Sequence, residues 1–262
     1  MPYANNHGIR LHYHIEGDGP PLLLHPGFSG SLVEWIDFGY VSALQNHYRL
    51  ILLDPRGQGH SDKPHDSDAY MRRHQVDDVL AVLDALGLDR VQFWGYSMGG
   101  WVGFALGILA PDRLDGLIIG GAHPFLGNPR PVDNDPWIVA LRQGMASLGA
   151  LWDDGRADFW LSPEEHARFL ANDPEALVAL LTTKLTEPDL ADAEVASITV
   201  PTLLYVGTQD NPDLVQRAAR LMPTAAVVTM DGLDHGEGYV RSDLVVPAVR
   251  SFLERADAGS AG

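Results

Sequence analysis

The chain has no cysteine among its 262 residues. Disulfides, thiolate nucleophiles and thiolate-bound metals are therefore excluded. The lack of disulfides suits a reducing compartment and leads us to expect a cytoplasmic protein. Lysine is nearly absent as well, occurring only as Lys63 and Lys184. Lys plus Arg reach 18 against 35 Asp plus Glu, a formal net charge of −17. A surface of that sign repels phosphate backbones and anionic lipid headgroups, so no nucleic acid and no membrane surface is expected as a partner. No apolar run is long enough to span a bilayer. The opening stretch, MPYANNHGIRLHYHIEG, has neither the basic start nor the apolar segment of a secretion signal. Internal repeats and low-complexity linkers are also missing.

What is present is enough apolar material, 45% of the residues, for one large core. Residues 9–16 alternate in the manner of a strand. Short apolar runs bounded by turn residues read as buried strands at 22–25, 48–54, 91–96, 116–121, 202–207 and 225–230. Between and after them lie helical patterns at 70–86, 98–109, 213–221 and 241–255. In the first of these, Val76, Val79, Leu80, Leu83 and Leu86 fall on one face. Strands alternating with helices imply a mostly parallel sheet covered on both sides. The rhythm breaks at about 124–196, where no strand is evident and helices are expected to open at Asp135-Pro136 and at Ser162-Pro163. We expect a core domain of residues 1–123 and 197–262, a helical cap of 124–196, and a disordered tail in ADAGSAG.

Gly95-Tyr96-Ser97-Met98-Gly99-Gly100 joins a buried strand to an apolar helix. A serine raised on so sharp a turn needs small residues two positions away on each side, and its hydroxyl then stands clear of the sheet edge. A serine hydroxyl is a weak nucleophile unaided; it needs a base within hydrogen-bond reach and a third group to orient that base. Asp210, just past the strand at 202–207, places a carboxylate at the same edge. Asp213 is its competitor, with capping of the following helix as its plain role. His235 follows the strand at 225–230 in a glycine-flanked loop, from which an imidazole can reach Ser97. Asp234 beside it reads as a solvated loop residue.

Acyl chemistry also needs two N–H donors for the developing oxyanion. One is expected from Met98. The other is expected from the turn His25-Pro26-Gly27-Phe28, supplied by Phe28 or by Gly27, because Pro26 has no N–H. His25 reads as a brace for that turn. The pocket is expected to draw on Gly27, Trp35, Trp101, His123 and Phe125, with Phe28, Trp137, Trp152, Phe159 and Trp160 as further aromatic candidates. An apolar, aromatic lining suits a neutral ester or lactone.

Taken in order, His25-Pro26-Gly27-Phe28, Asp54-Pro55-Arg56-Gly57-Gln58-Gly59-His60-Ser61, the turn around Ser97, and Asp210 with His235 resemble the α/β-hydrolase superfamily, over roughly residues 8–123 and 198–255. The resemblance implies an α/β-hydrolase fold with an eight-stranded-type sheet and a Ser97–Asp210–His235 triad. It also implies that the Asp54–Ser61 turn is structural. Within the superfamily the chain looks most like small esterases, lactonases and cofactor-free perhydrolases, and enol-lactone and carbon–carbon bond hydrolases resemble it too. Ser97 stands where dehalogenases and epoxide hydrolases carry Asp. The expectation is a serine esterase or lactonase acting on a small molecule, with no cofactor and no metal. Self-assembly stays open.

Overall fold

The computed structural model describes residues 2–154 and 162–260. Eight strands form one sheet: β1 (Tyr3–Asn6), β2 (Ile9–Glu16), β3 (Pro21–His25), β4 (Arg49–Leu53), β5 (Val91–Tyr96), β6 (Leu114–Gly120), β7 (Thr202–Gly207) and β8 (Ala225–Met230). Their spatial order is β1-β2-β4-β3-β5-β6-β7-β8. The β1–β2 and β2–β4 pairs are antiparallel and all later pairs are parallel. Twelve helices are described: α1 (Leu32–Asp37), α2 (Tyr40–Leu44), α3 (Arg72–Ala85), α4 (Met98–Leu109), α5 (Pro136–Leu141), α6 (Met145–Asp153), α7 (Pro163–Leu170), α8 (Pro174–Thr186), α9 (Asp192–Ala196), α10 (Pro212–Leu221), α11 (Glu237–Val240) and α12 (Ser242–Ser260).

The continuous apolar runs of the central strands follow from burial on both faces. Successive side chains point to opposite sides. Leu23, Ile51, Phe93, Leu117, Ile119 and Leu204 thus join the core that includes residues of α3, α4 and α10. Leu22, Leu24, Leu50, Leu52, Trp94, Ile118 and Leu203 join the one built with α1, α2 and α12. The segment between β6 and β7 contributes α5–α9 and no strand among the described residues. Ile138, Leu141, Leu148, Phe169, Leu177 and Leu181 form a separate apolar cluster there. Its helices open where their caps dictate. Asp135 Oδ1 accepts from the N–H of Trp137 at 3.0 Å, and Ser162 Oγ accepts from that of Glu165 at 3.0 Å. The helix α12 runs to Ser260, through most of the tail expected to be disordered. No helix among the described residues is long and apolar enough to cross a membrane.

The Asp54–Ser61 turn ties the end of β4 to its surroundings. Asp54 Oδ1 accepts from the N–H of Leu32, at the start of α1, at 2.8 Å. Its Oδ2 accepts from the N–H of His60 at 2.9 Å and lies 2.7 Å from His12 Nδ1. Ser61 Oγ donates to the Asp54 carbonyl at 2.6 Å. Arg56 and Asp78 form a buried pair, Nε to Oδ2 at 2.6 Å, that fastens the turn to α3. These bonds leave the motif no free polar group for chemistry at Asp54 or Arg56, and they anchor the loop that leads from β3 into α1.

Glu34 on α1 lies against that loop, with no room for a side chain at Gly30. Desolvation pushes the Glu34 carboxyl up to about 8, and the charge of Glu165 adds to the shift. In the unfolded chain the group ionises near 4.5. Between those values the folded protein holds a proton that the unfolded chain has released, so stability falls as pH rises through the window. Glu34→Gln keeps the neutral shape and removes this dependence. Its thermal midpoint is expected to match that of the native protein near pH 4.5 and to exceed it by a growing margin up to pH 8. A margin that stays constant over this range contradicts the assignment.

Candidate active site

Every residue singled out for chemistry lies beyond the carboxyl end of a parallel strand, the edge where open α/β sheets bind ligands. Strand β5 ends at Tyr96 and α4 begins at Met98, leaving Ser97 alone to make the turn. Its backbone has φ 52° and ψ −110°, a conformation costly for any residue with a side chain. The turn is held because the Ser97 N–H donates to the Gly120 carbonyl at 2.8 Å and its own carbonyl accepts from Trp101 at 3.2 Å. The flanking glycines answer to packing. A Cβ on Gly95 would lie 2.1 Å from the Gly99 oxygen, and one on Gly99 would lie 2.3 Å from the His25 oxygen. His25 is buried against this turn, and its Nδ1 donates to the Pro26 carbonyl at 3.0 Å. Burial pushes its imidazole down to about 4, so it is a neutral brace.

From Ser97 a chain of hydrogen bonds leads outward. His235 Nε2 lies 3.0 Å from Ser97 Oγ, and His235 Nδ1 lies 2.8 Å from Asp210 Oδ2. A carboxylate only accepts, so Nδ1 carries the proton and Nε2 of the neutral ring faces the serine hydroxyl as an acceptor. The Asp210 side chain is only 7% exposed. Desolvation alone would raise its carboxyl. The hydrogen bond and charge of His235, with the Asn211 Nδ2 donor at 2.8 Å, outweigh it and hold the group below the ordinary value. Asp213 stands exposed in the first turn of α10. Asp234 lies in the loop, part-exposed, and accepts from the Glu237 N–H at 2.8 Å just ahead of α11.

Met98 takes the first position of α4, where a helix leaves its N–H groups unpaired. Among the described residues the N–H groups of Met98, Gly27 and Phe28 donate to no protein acceptor. The Gly27 loop runs beside the nucleophile, since a Cβ there would lie 3.5 Å from Ser97 Cβ. The Phe28 ring packs on Trp137 and Trp152, at 5.8 and 6.3 Å between centroids.

The other expected pocket residues divide. Trp101 lines a cavity of about 60 Å³ together with Met98. His123 is half-buried, accepts from the Phe125 N–H at 3.3 Å, and is pushed down by burial. The Phe125 ring is covered by the Arg217 guanidinium at 3.8 Å. Trp35 is a correction. It is fully buried in edge-to-face contact with Tyr40, Trp94 and Tyr239, and offers no surface to a ligand. Phe159 and Trp160 lie outside the described residues.

Two further residues carry no signal of their role in the sequence pattern. Tyr96 Oη donates to the His235 carbonyl at 2.5 Å while its ring stacks on Tyr239, 4.5 Å away and tilted by 4°. Lys184, conspicuous beforehand only as one of two lysines, reaches from α8 onto the face of Trp101.

The sequence profile of the alpha/beta hydrolase fold matches residues 20–159, a little over half of the chain. Among solved structures, the enol-lactonase from Burkholderia xenovorans LB400 is 29% identical, with a TM-score of 0.85 over 97% of this chain and 100% of that one. A hydrolase from Pseudomonas aeruginosa PA01 is 27% identical, with a TM-score of 0.84 over 96% and 97%. Est816, described as an N-acyl homoserine lactone degrading enzyme, is 26% identical, with a TM-score of 0.77 over 96% and 100%. The chain belongs to the alpha/beta hydrolase family.

Proposed function

We propose that the chain is a serine hydrolase that cleaves a small carboxylic ester or lactone through an acyl-enzyme. The observation that carries this reading is the unbroken relay from Ser97 Oγ through His235 to Asp210, at 3.0 and 2.8 Å, on a turn that holds the hydroxyl at the sheet edge. As Ser97 attacks the carbonyl, His235 takes its proton, and Asp210 stabilises the imidazolium and fixes the ring. The N–H of Met98 and that of Phe28 hold the oxyanion; Gly27 lets the loop approach. Water then attacks the acyl-enzyme with His235 as base, and the acid leaves. No step calls for a cofactor. The helices of residues 124–196 act as a cap over the edge, and the likeness to an enol-lactonase and to a lactone-degrading enzyme favours lactones among the esters.

The test is release of acid, followed by pH-stat, from short-chain methyl and aryl esters, five- and six-membered lactones and β-diketones. Ester or lactone hydrolysis is expected. Cleavage confined to the β-diketones would instead favour carbon–carbon bond hydrolysis by the same residues.

Tyr96 acts in this scheme as a positioning residue, tying the loop that bears the base to the strand that bears the nucleophile. Tyr96→Phe removes the hydroxyl and leaves the stack on Tyr239. Loss of one hydrogen bond of this kind is expected to lower kcat by roughly tenfold with KM nearly unchanged. Equal losses in both constants and in thermal midpoint would mark a purely structural role.

A further inference from the structure

A cavity of about 60 Å³ lies against the first turn of α4, lined by Met98 and Trp101 on one side and by Lys184, Asn128 and Asp189 on the other. Three of its polar groups make no hydrogen bond among the described residues. The Lys184 Nζ faces the Trp101 ring and makes no hydrogen bond or ion pair with any carboxylate. Asn128 Oδ1 and Asp189 Oδ1 are buried and accept nothing. The other polar atom of each carboxamide or carboxylate is engaged: Asn128 Nδ2 donates to the Lys184 carbonyl at 2.6 Å, and Asp189 Oδ2 accepts from the Gly127 N–H at 2.7 Å. Two further charged residues of the wall answer each other: Glu187 accepts from the backbone N–H of Arg72 at 3.1 Å and lies 3.9 Å from its Nε. Buried polar atoms left open are costly, so a site that keeps one donor and two acceptors open fits a ligand that completes them.

We propose that this cavity is a substrate subsite for a neutral amide, whose carbonyl accepts from Lys184 Nζ and whose N–H groups donate to Asn128 Oδ1 and Asp189 Oδ1. The proposal rests on the ester or lactone reading above, because Met98 adjoins Ser97 and the subsite therefore holds a part of the substrate away from the bond that is cut. A carboxylate fits less well. It would satisfy Lys184, yet it would set a second negative charge beside Asp189 and leave both acceptors open. Desolvation also lowers the Lys184 amine well below its ordinary value, with Arg130 adding to the effect. A carbonyl accepts from that amine in either charge state, whereas an anion needs it protonated.

The test is calorimetric binding to Ser97→Ala, whose residual turnover is too slow to consume the probe during the titration. The probes are methyl esters whose acyl chains, in a series of lengths, end in a primary amide, a methyl ketone or a carboxylate. At the best chain length the amide is expected to bind at least ~10-fold more tightly than the ketone, as one or two well-made hydrogen bonds allow. Lys184→Met in the same background is expected to narrow that gap to about twofold. The proposal is overturned if the ketone binds as well as the amide at every length, if the carboxylate binds more tightly than the amide, or if Lys184→Met leaves the preference intact. Turnover of the same esters by the native protein separates the two ideas. Amide preference without ester cleavage removes the hydrolase reading and keeps the subsite. Cleavage without amide preference removes the subsite alone.

Discussion

Ser97→Ala is expected to lower kcat on the best ester by roughly 10⁶-fold, leaving a residue of catalysis that the oxyanion donors and substrate binding supply. The size follows from what the hydroxyl does: without it there is no acyl-enzyme, and a water would have to take the place of a nucleophile that is already in position. The fold should not suffer. Alanine suits the strained backbone at φ 52° no worse than serine, and the bonds holding the turn come from the main chain. Steady-state rates on the same ester, with circular dichroism as the control for folding, check this. A loss of less than about 10² in a folded variant means that another group performs the attack.

Asp210→Asn is the second large effect. The carboxylate makes Nδ1 of His235 the protonated nitrogen, so that Nε2 can accept from Ser97. Asparagine is the same size but can turn its amide N–H toward Nδ1. The ring then protonates at Nε2 and meets the serine as a donor. A fall in kcat of about 10⁴ is expected, with substrate affinity little changed, because geometry survives while the tautomer does not. Burial supports this estimate, since a side chain only 7% exposed has little water to take over its role. Asp213→Asn supplies the control. Exposed on α10, it is expected to leave kcat within about twofold, as surface substitutions away from such networks do. Matching losses in the two variants would dismiss Asp210 as the orienting acid.

Strands β5 and β7, flanked by turn residues, were legible because burial on both faces leaves a continuous apolar run; β2 showed as an alternation and β8 as a short apolar run, and all four span the residues that their patterns indicate. Strand β1 escaped, since Tyr3–Asn6 is four residues long with two Asn and exists by pairing with β2. Helices α1 and α2, six and five residues long, are too short to show a period and are held by the burial of Trp35, Tyr40 and Leu44. The same burial explains the wrong place given to Trp35. A tryptophan on a short helix such as α1 can face the pocket or the core, and no local pattern separates the two. Ser97, Asp210 and His235 could be singled out because each follows a recognisable strand. The cavity wall could not. Lys184 sits on α8, Asn128 on the stretch between β6 and α5 and Asp189 on that between α8 and α9, and their open hydrogen-bonding atoms become visible only when those segments fold together.

The central claim is that Ser97 is the group that attacks, activated by His235. The direct measurement is intact mass followed by peptide mapping after exposure to an aryl phosphonofluoridate, which phosphonylates an activated serine in place of an acyl group. One adduct per chain is expected, on the peptide containing Ser97, with loss of turnover in step with labelling and no labelling of His235→Ala under the same conditions. An unlabelled protein that still hydrolyses esters, or an adduct on another residue that tracks the loss of activity, contradicts the account.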